Sequence, residues 1–450
     1  MRQPQGGLSR FLDKHLPAKS LKKRLAVGMS WVMAGSLFRQ VANFLAVIFV
    51  ARVLSMTDFG KLAVIQSTVL MISSFGQAGI GLSTTKYIAS NRVTDRLRTG
   101  RIIGFTLAFV CIASLLIAVL VVIFTRLLAG KLLPGSDLAG DLSLSSIWMM
   151  FEIVNLIQVR MLAGLESFRS CATVTFCQGV LLPIVWVGAC FGGITGAVAC
   201  YSVVSIIGCL LGQVLLQKEC RRFDIRIQYR NVWGERSILR MSTMVWLSEI
   251  AMNLTNWVVG ILLARQPNGL VEYAIFNAAS RYQNVLAFLP TRIFHVSLPV
   301  LANLQAEGNR HGFTKALVGL GGLSLLVTTA GASVFLLFPE TLMSWYGKGF
   351  GAGGDVLSVV AVLCIASSIW TVASAGLWAA EQSKQMLGLD ILRGGLLLLL
   401  CLAGIAATAR GLAVAHLISY TVCGAGLVLV LFRYLRHPWG VNQAAARADH

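Results

Sequence analysis

Long apolar runs alternate with short polar breaks along the whole chain, and each run is about 20 residues, enough to cross roughly 30 Å of hydrocarbon. In lipid every backbone N–H and C=O needs a partner within the protein, which favours helices. The pattern predicts an all-α polytopic membrane protein of about twelve transmembrane helices. They are placed near residues 28–52, 59–83, 102–125, 142–164, 172–192, 194–217, 238–264, 273–298, 316–338, 357–380, 388–409 and 411–432. The polar segment KECRRFDIRIQYRNVWGERS divides them six and six. The expected organisation is a basic N-terminal segment 1–27, an N-terminal six-helix lobe 28–217, a linker 218–237, a C-terminal six-helix lobe 238–432 and a tail 433–450.

Four of the expected helices carry polar stripes. In the first, Ser36, Arg39 and Asn43 stand at i, i+3 and i+7, on one face. The second has Gln66, Ser73 and Gln77; the seventh has Ser242, Glu249, Asn253 and Asn256; the eighth has Asn277, Arg281, Asn284, Arg292 and His295. A charge at bilayer depth is costly and normally faces a polar interior. At 1.5 Å per residue, Arg39 lies roughly 16 Å from its cytoplasmic end, with Arg281 and Arg292 roughly 25 Å and 9 Å from theirs. A cationic ladder of this kind suits an anionic head group. Arg39, Asn43, Asn277, Arg281, Asn284 and Arg292 are therefore the candidate substrate-binding residues. Glu249 and Glu152, two acids near mid-depth, are the candidates for ion coupling. Structural roles compete with these: Arg39 paired with Glu249, Arg292 reaching to the interface, Arg393 paired with Asp390 three residues away. Pro290, between Arg281 and Arg292, offers a place for the helix to bend.

The first and seventh helices also echo one another. Asn43 precedes Arg52 by nine residues and Asp58-Phe59-Gly60 follows; Asn256 precedes Arg265 by nine and Glu272-Tyr273-Ala274 follows, with one residue of spacing inserted. Two related halves meeting at a central site is a recurrent transporter plan.

Charge settles the orientation expected. Twenty-six basic residues fall on the side of the termini and the 218–237 linker, and six, Arg52, Arg126, Lys131, Arg265, Lys348 and Arg410, on the other. By the positive-inside rule both termini are expected in the cytoplasm. The same asymmetry accounts for the net charge of +20 without nucleic acid. With 56% hydrophobic and 12% charged residues among 450, and a mean hydropathy of +0.75, a soluble globular protein is excluded. The ten cysteines show no C-x-x-C, and the six histidines no metal spacing, so neither metal nor cofactor is expected. No G-x-x-x-x-G-K-[ST] loop is present to hydrolyse nucleotide. About 27 residues precede the first apolar run, so a cleavable signal is not expected. Leu8, Phe11, Leu12 and Leu16 among basic residues fit either a short interfacial helix or a disordered basic tail that only fixes topology.

Three patches carry a family resemblance: GSLFRQVANFLAVIFVARVLSMTDFGKLAVIQS, LAGLESFRS and EYAIFNAASRYQNVLAFLPTRIFHVSLPVLANL. They resemble the polysaccharide and O-antigen flippases of the multidrug, oligosaccharidyl-lipid and polysaccharide exporter superfamily. That resemblance implies two six-helix lobes around a central cavity, alternating access and no enzymatic activity. It implies a polyprenyl-pyrophosphate-linked oligosaccharide moved from the cytoplasmic to the periplasmic leaflet of a bacterial inner membrane. Membrane lipids and polysaccharide polymerase or export machinery are the implied partners. A drug or cation antiporter of the same superfamily is the rival within transport, and it calls for acidic rather than basic cavity residues. A membrane glycosyltransferase or polymerase is the rival of another class. It calls for larger external loops with an acidic pair.

Overall fold

A computed structural model describes residues 21–77, 80–132, 138–229, 243–380 and 382–436. The expected interfacial helix at residues 8–16, the second part of the linker (230–237) and the end of the tail lie outside them. No β-strand occurs among the described residues. The helices are α1 (Leu21–Val53), α2 (Met56–Gln77), α3 (Ile80–Asn91), α4 (Arg96–Leu132), α5 (Ala139–Gly164), α6 (Phe168–Leu181), α7 (Pro183–Arg222), α8 (Thr243–Ala264), α9 (Gly269–Ala306), α10 (Arg310–Leu337), α11 (Pro339–Ser344), α12 (Gly354–Ala379), α13 (Ser383–Leu402) and α14 (Ala409–Arg436).

Ten helical segments among the described residues are long and apolar enough to cross a membrane. One of them, Phe168–Arg222, is two crossings, because α7 breaks at Gly193, where φ is 57° and ψ −135°. That conformation is unfavourable for residues with a Cβ. Across the break Gly188 and Gly196 lie against each other with no room for a side chain on either. Helix α9 has the length for a crossing, 38 residues, and is held back from the apolar set by its polar stripe. With these two the ten become the twelve that the apolar runs predict. α9 continues as one helix through Pro290.

Local signals set the boundaries. Ser55 accepts a hydrogen bond from Asp58 N at 3.1 Å and donates to its carboxylate at 2.8 Å, a reciprocal cap that opens α2. Asn309 caps α10 by accepting from Gly312 N at 2.8 Å. Pro183 and Pro339 occupy first turns, where their missing N–H costs nothing.

By contact the chain divides into two compact units. Unit 1 comprises Met1–Ala46, Phe75–Thr125 and Gly140–Thr243; unit 2 comprises Val47–Ser74, Arg126–Ala139 and Met244–His450. Within unit 1, small residues bring helices close: Gly35 lies on Ala172 and Thr175, and Gly179 on Phe38 and Arg39. In unit 2, α12 is the hub, packed against α9, α10 and α14. Leu301, Phe313, Leu317, Ala375, Leu377 and Leu427 form part of its buried core. The hairpin Val47–Ser74 also belongs to unit 2. There Gly60, from the first copy of the repeat, sits against the backbone of Leu270, two residues before Glu272 of the second.

Candidate functional site

The candidate residues fall into two separate constellations, one in each unit. In unit 1, Arg39 Nη2 donates to Glu152 Oε1 at 3.1 Å, and Ser205 Oγ donates to Glu152 Oε2 at 2.8 Å. Helices α1, α5 and α7 are thus tied by one carboxylate. Gly179 permits this, since its α-hydrogen leaves α6 in contact with the Arg39 backbone, and Phe38 stacks on Phe176 with centroids 4.4 Å apart. Asn43, half-buried, follows Arg39 by one turn on the same face. The partner of Arg39 is Glu152, not Glu249, which is exposed on α8. Similar depth pointed to Glu249 as the structural partner; the contact made is with Glu152 on α5.

The Arg39–Glu152 pair is 36% and 26% exposed, so water screens it. Arg39→Ala should cost about 1 kcal/mol or less of stability, read as a small fall in the unfolding midpoint in detergent. A collapse in folded yield instead makes Arg39 a structural lock.

In unit 2, Arg281 is held by neutral groups. Its Nε donates to Asn277 Oδ1 at 3.3 Å, one turn back on α9, and its Nη2 donates to Gln66 Oε1 on α2. No carboxylate among the described residues pairs with this guanidinium, which is half-buried. Its charge is therefore oriented but not cancelled. Asn284 is exposed on the same helix, and Arg292 lies with Cζ 4.8 Å from the centre of the Phe288 ring. His295, in the same stripe, has no described side chain.

The hairpin that supplies Gln66 is bound to unit 2 along its length. Trp257 Nε1 donates to Thr68 Oγ1 at 2.9 Å, and Trp246 Nε1 to the Ser74 carbonyl at 3.1 Å. At its tip Arg52 Nε donates to the Trp345 carbonyl at 2.7 Å. Phe59 enters an aromatic cluster, 5.7 Å from Phe350 and 6.4 Å from Tyr346. Tyr282 joins Tyr346 at 5.9 Å and donates to the Leu342 carbonyl at 2.6 Å. This latch has no periodic signature, since Tyr346 lies in a turn and Phe350 opens a short 3-10 helix.

The expected Arg393–Asp390 pairing is reduced to an electrostatic interaction, with other groups in direct contact with the guanidinium. Both residues are buried, but Arg393 lies 4.1 Å from the Tyr420 ring and 5.1 Å from Trp370, with Nη2 pointed at Met252 Sδ at 3.0 Å. Aromatic faces attract a guanidinium strongly where water is excluded. Among the described residues no three His, Cys, Asp or Glu gather as metal ligands.

Solved structures share this fold. An inward-facing multidrug resistance MATE family transporter of the MOP superfamily aligns over 88% of this chain and 94% of its own, with a TM-score of 0.72 at 14% identity. An outward-facing form covers 96% and 98%, with a TM-score of 0.67 at 15%. A MOP superfamily transporter from Pyrococcus furiosus, described as having a binding pocket of reverse polarity, covers 92% and 94%, with a TM-score of 0.64 at 16%. The chain is thus a multi-pass membrane protein that shares the fold of these MOP superfamily transporters. Residues 25–305, more than half of it, match the family described as "Polysaccharide biosynthesis protein", and the chain belongs to that family. A relative, the EPS I polysaccharide export inner membrane protein EpsE of Ralstonia solanacearum, is 25% identical over 346 residues, 72% of this chain and 74% of that protein.

Proposed function

We propose that this protein is a flippase that moves a polyprenyl-pyrophosphate-linked oligosaccharide from the cytoplasmic to the periplasmic leaflet of a bacterial inner membrane. The substrate would serve surface or extracellular polysaccharide synthesis, in company with polymerase and export machinery. The lobes 28–217 and 238–432 work by alternating access, and Arg281 grips the pyrophosphate. The observation that carries this is the Arg281 guanidinium, oriented by Asn277 and Gln66 and neutralised by no described carboxylate. Such a group offers charge-assisted, fork-like hydrogen bonds to phosphate oxygens. Asn277, Asn284 and Arg292 continue the polar face for the head group and sugars. Family membership and the resemblance to an exopolysaccharide export protein support the substrate class.

Arg39 and Asn43 line the path in the first lobe. Glu152 is the residue we assign to proton coupling, because a half-exposed carboxylate shared between Arg39 and Ser205 can exchange partners when it takes a proton. Glu249 is the second choice. A cation antiporter would leave an acid uncompensated where this chain leaves an arginine.

Both termini are assigned to the cytoplasm on the distribution of basic residues. A reporter fused at residue 228 should read cytoplasmic and one at residue 135 periplasmic. The reverse pattern would discard this orientation and the direction of transport with it.

A further inference from the structure

Within unit 1, α5 and the second half of α7 run side by side in one register. Trp148 lies on Tyr201 with ring centroids 4.5 Å apart and planes 10° from parallel. One turn further on, Glu152 Oε2 accepts from Ser205 Oγ at 2.8 Å. Both layers follow from spacing, since Trp148 and Glu152 are at i and i+4 on α5, as are Tyr201 and Ser205 on α7. Helices α1 and α5 are the first and fourth crossings, so they run antiparallel. Arg39 on α1 meets Glu152. The next turn of α1 towards the periplasm, which holds Asn43, is therefore level with Trp148.

This face is wet. Arg39 and Glu152 both keep part of their surface exposed, and an ion pair turned to hydrocarbon would be costly. Trp148 and Asn43 are half-buried on the same face. Among the described residues neither the Trp148 indole N–H nor the Asn43 amide has a hydrogen-bond partner. Tyr201 is buried and braces the indole from one side.

A pyranose ring matches this set. It has an apolar C–H face that covers an aromatic ring, and a rim of hydroxyls that donate and accept. The braced indole supplies the apolar surface. The Asn43 amide both donates and accepts, and Arg39 has N–H groups beyond the one given to Glu152. The Glu152 carboxylate keeps lone pairs beyond those used by Arg39 and Ser205. A few convergent polar groups around an aromatic surface make a small-molecule site. A lipophilic cation is the other ligand that an indole face attracts. Here it would meet the Arg39 charge, and Arg39 already neutralises Glu152.

We propose that Trp148, backed by Tyr201, is the platform of a saccharide subsite in unit 1, where Asn43, Arg39 and Glu152 bond the sugar hydroxyls. That the sugar arrives on a lipid-linked oligosaccharide rests on the flippase reading; that the subsite takes a sugar does not.

Saturation-transfer NMR on the full chain in detergent tests the subsite. The probe is free oligosaccharide released from the source bacterium's own surface polysaccharide. The unmodified protein should saturate the sugar ring protons. Trp148→Leu, which keeps apolar bulk against Tyr201, should weaken binding about tenfold, the scale of one aromatic contact. Trp148→Phe should retain most of it, and Asn43→Ala should weaken it about fivefold, the scale of one hydrogen bond. No saturation by the unmodified protein, or equal binding by the Leu and Phe variants, overturns the subsite. So does loss of tetraphenylphosphonium binding in Trp148→Leu with sugar binding intact. Where Trp148→Leu does not fold, unchanged binding by Asn43→Ala overturns it. Transport separates the two readings. Sugar saturation without transbilayer movement of the lipid-linked oligosaccharide removes the flippase and leaves the subsite; movement without saturation does the reverse.

Discussion

Arg281→Ala is expected to reduce reconstituted lipid-linked oligosaccharide transport about a hundredfold, near 3 kcal/mol, the scale of one lost charge-assisted contact to phosphate. Arg281→Lys should retain part of the activity, since an ammonium keeps the charge and loses the planar fork. Gln66→Ala and Asn277→Ala should cost less than Arg281→Ala, because each removes one of the two groups that aim the guanidinium. Folded yield should change little, as no ion pair among the described residues is broken. Full transport by Arg281→Ala would remove the anion grip from the mechanism. A parallel fall in yield and transport would recast Arg281 as a packing residue between α9 and α2.

Gly60→Val is expected to have the second largest effect, through the backbone. The position of its Cβ is already taken by the Leu270 carbonyl, and backbone cannot move aside as a side chain can. Overpacking of this kind typically costs about 1–3 kcal/mol. The hairpin Val47–Ser74 should therefore lift from unit 2, loosening the Phe59–Tyr346–Phe350 cluster and the Arg52 contact to Trp345. Amide hydrogen exchange in the segment 339–353 should rise in this variant, and Gln66 should leave Arg281. Unchanged exchange there would show that the helices shift without releasing the latch.

The helical architecture was legible because length and hydropathy fix crossings almost independently of packing. The break at Gly193 falls in the gap between the runs 172–192 and 194–217, and the α9 stripe puts Asn277 and Arg281 one turn apart as 3.6-residue spacing requires. Which helices are neighbours was not legible. Depth put Arg39 level with Glu249, and periodicity carries no term for the contact of Arg39 on α1 with Glu152 on α5. The Arg393–Asp390 expectation held only in part for a related reason: the two buried groups interact electrostatically, but Trp370 and Tyr420 from two other helices surround the guanidinium. The Trp148 platform had a faint signal in its four-residue spacing from Glu152. That spacing gives a face and cannot reveal that Tyr201 and Ser205 of α7 lie against it.

The central claim is that the uncompensated Arg281 serves an anionic lipid-linked substrate, and transbilayer movement of that substrate tests it most directly. Proteoliposomes holding a labelled polyprenyl-pyrophosphate-linked oligosaccharide in one leaflet should show its appearance in the other with the unmodified protein. Arg281→Ala vesicles should stay near the protein-free rate, and the same glycan on a neutral polyprenyl carrier should not move. Movement of neither lipid, together with proton-driven uptake of a cationic drug by the same vesicles, would contradict the account and favour the antiporter.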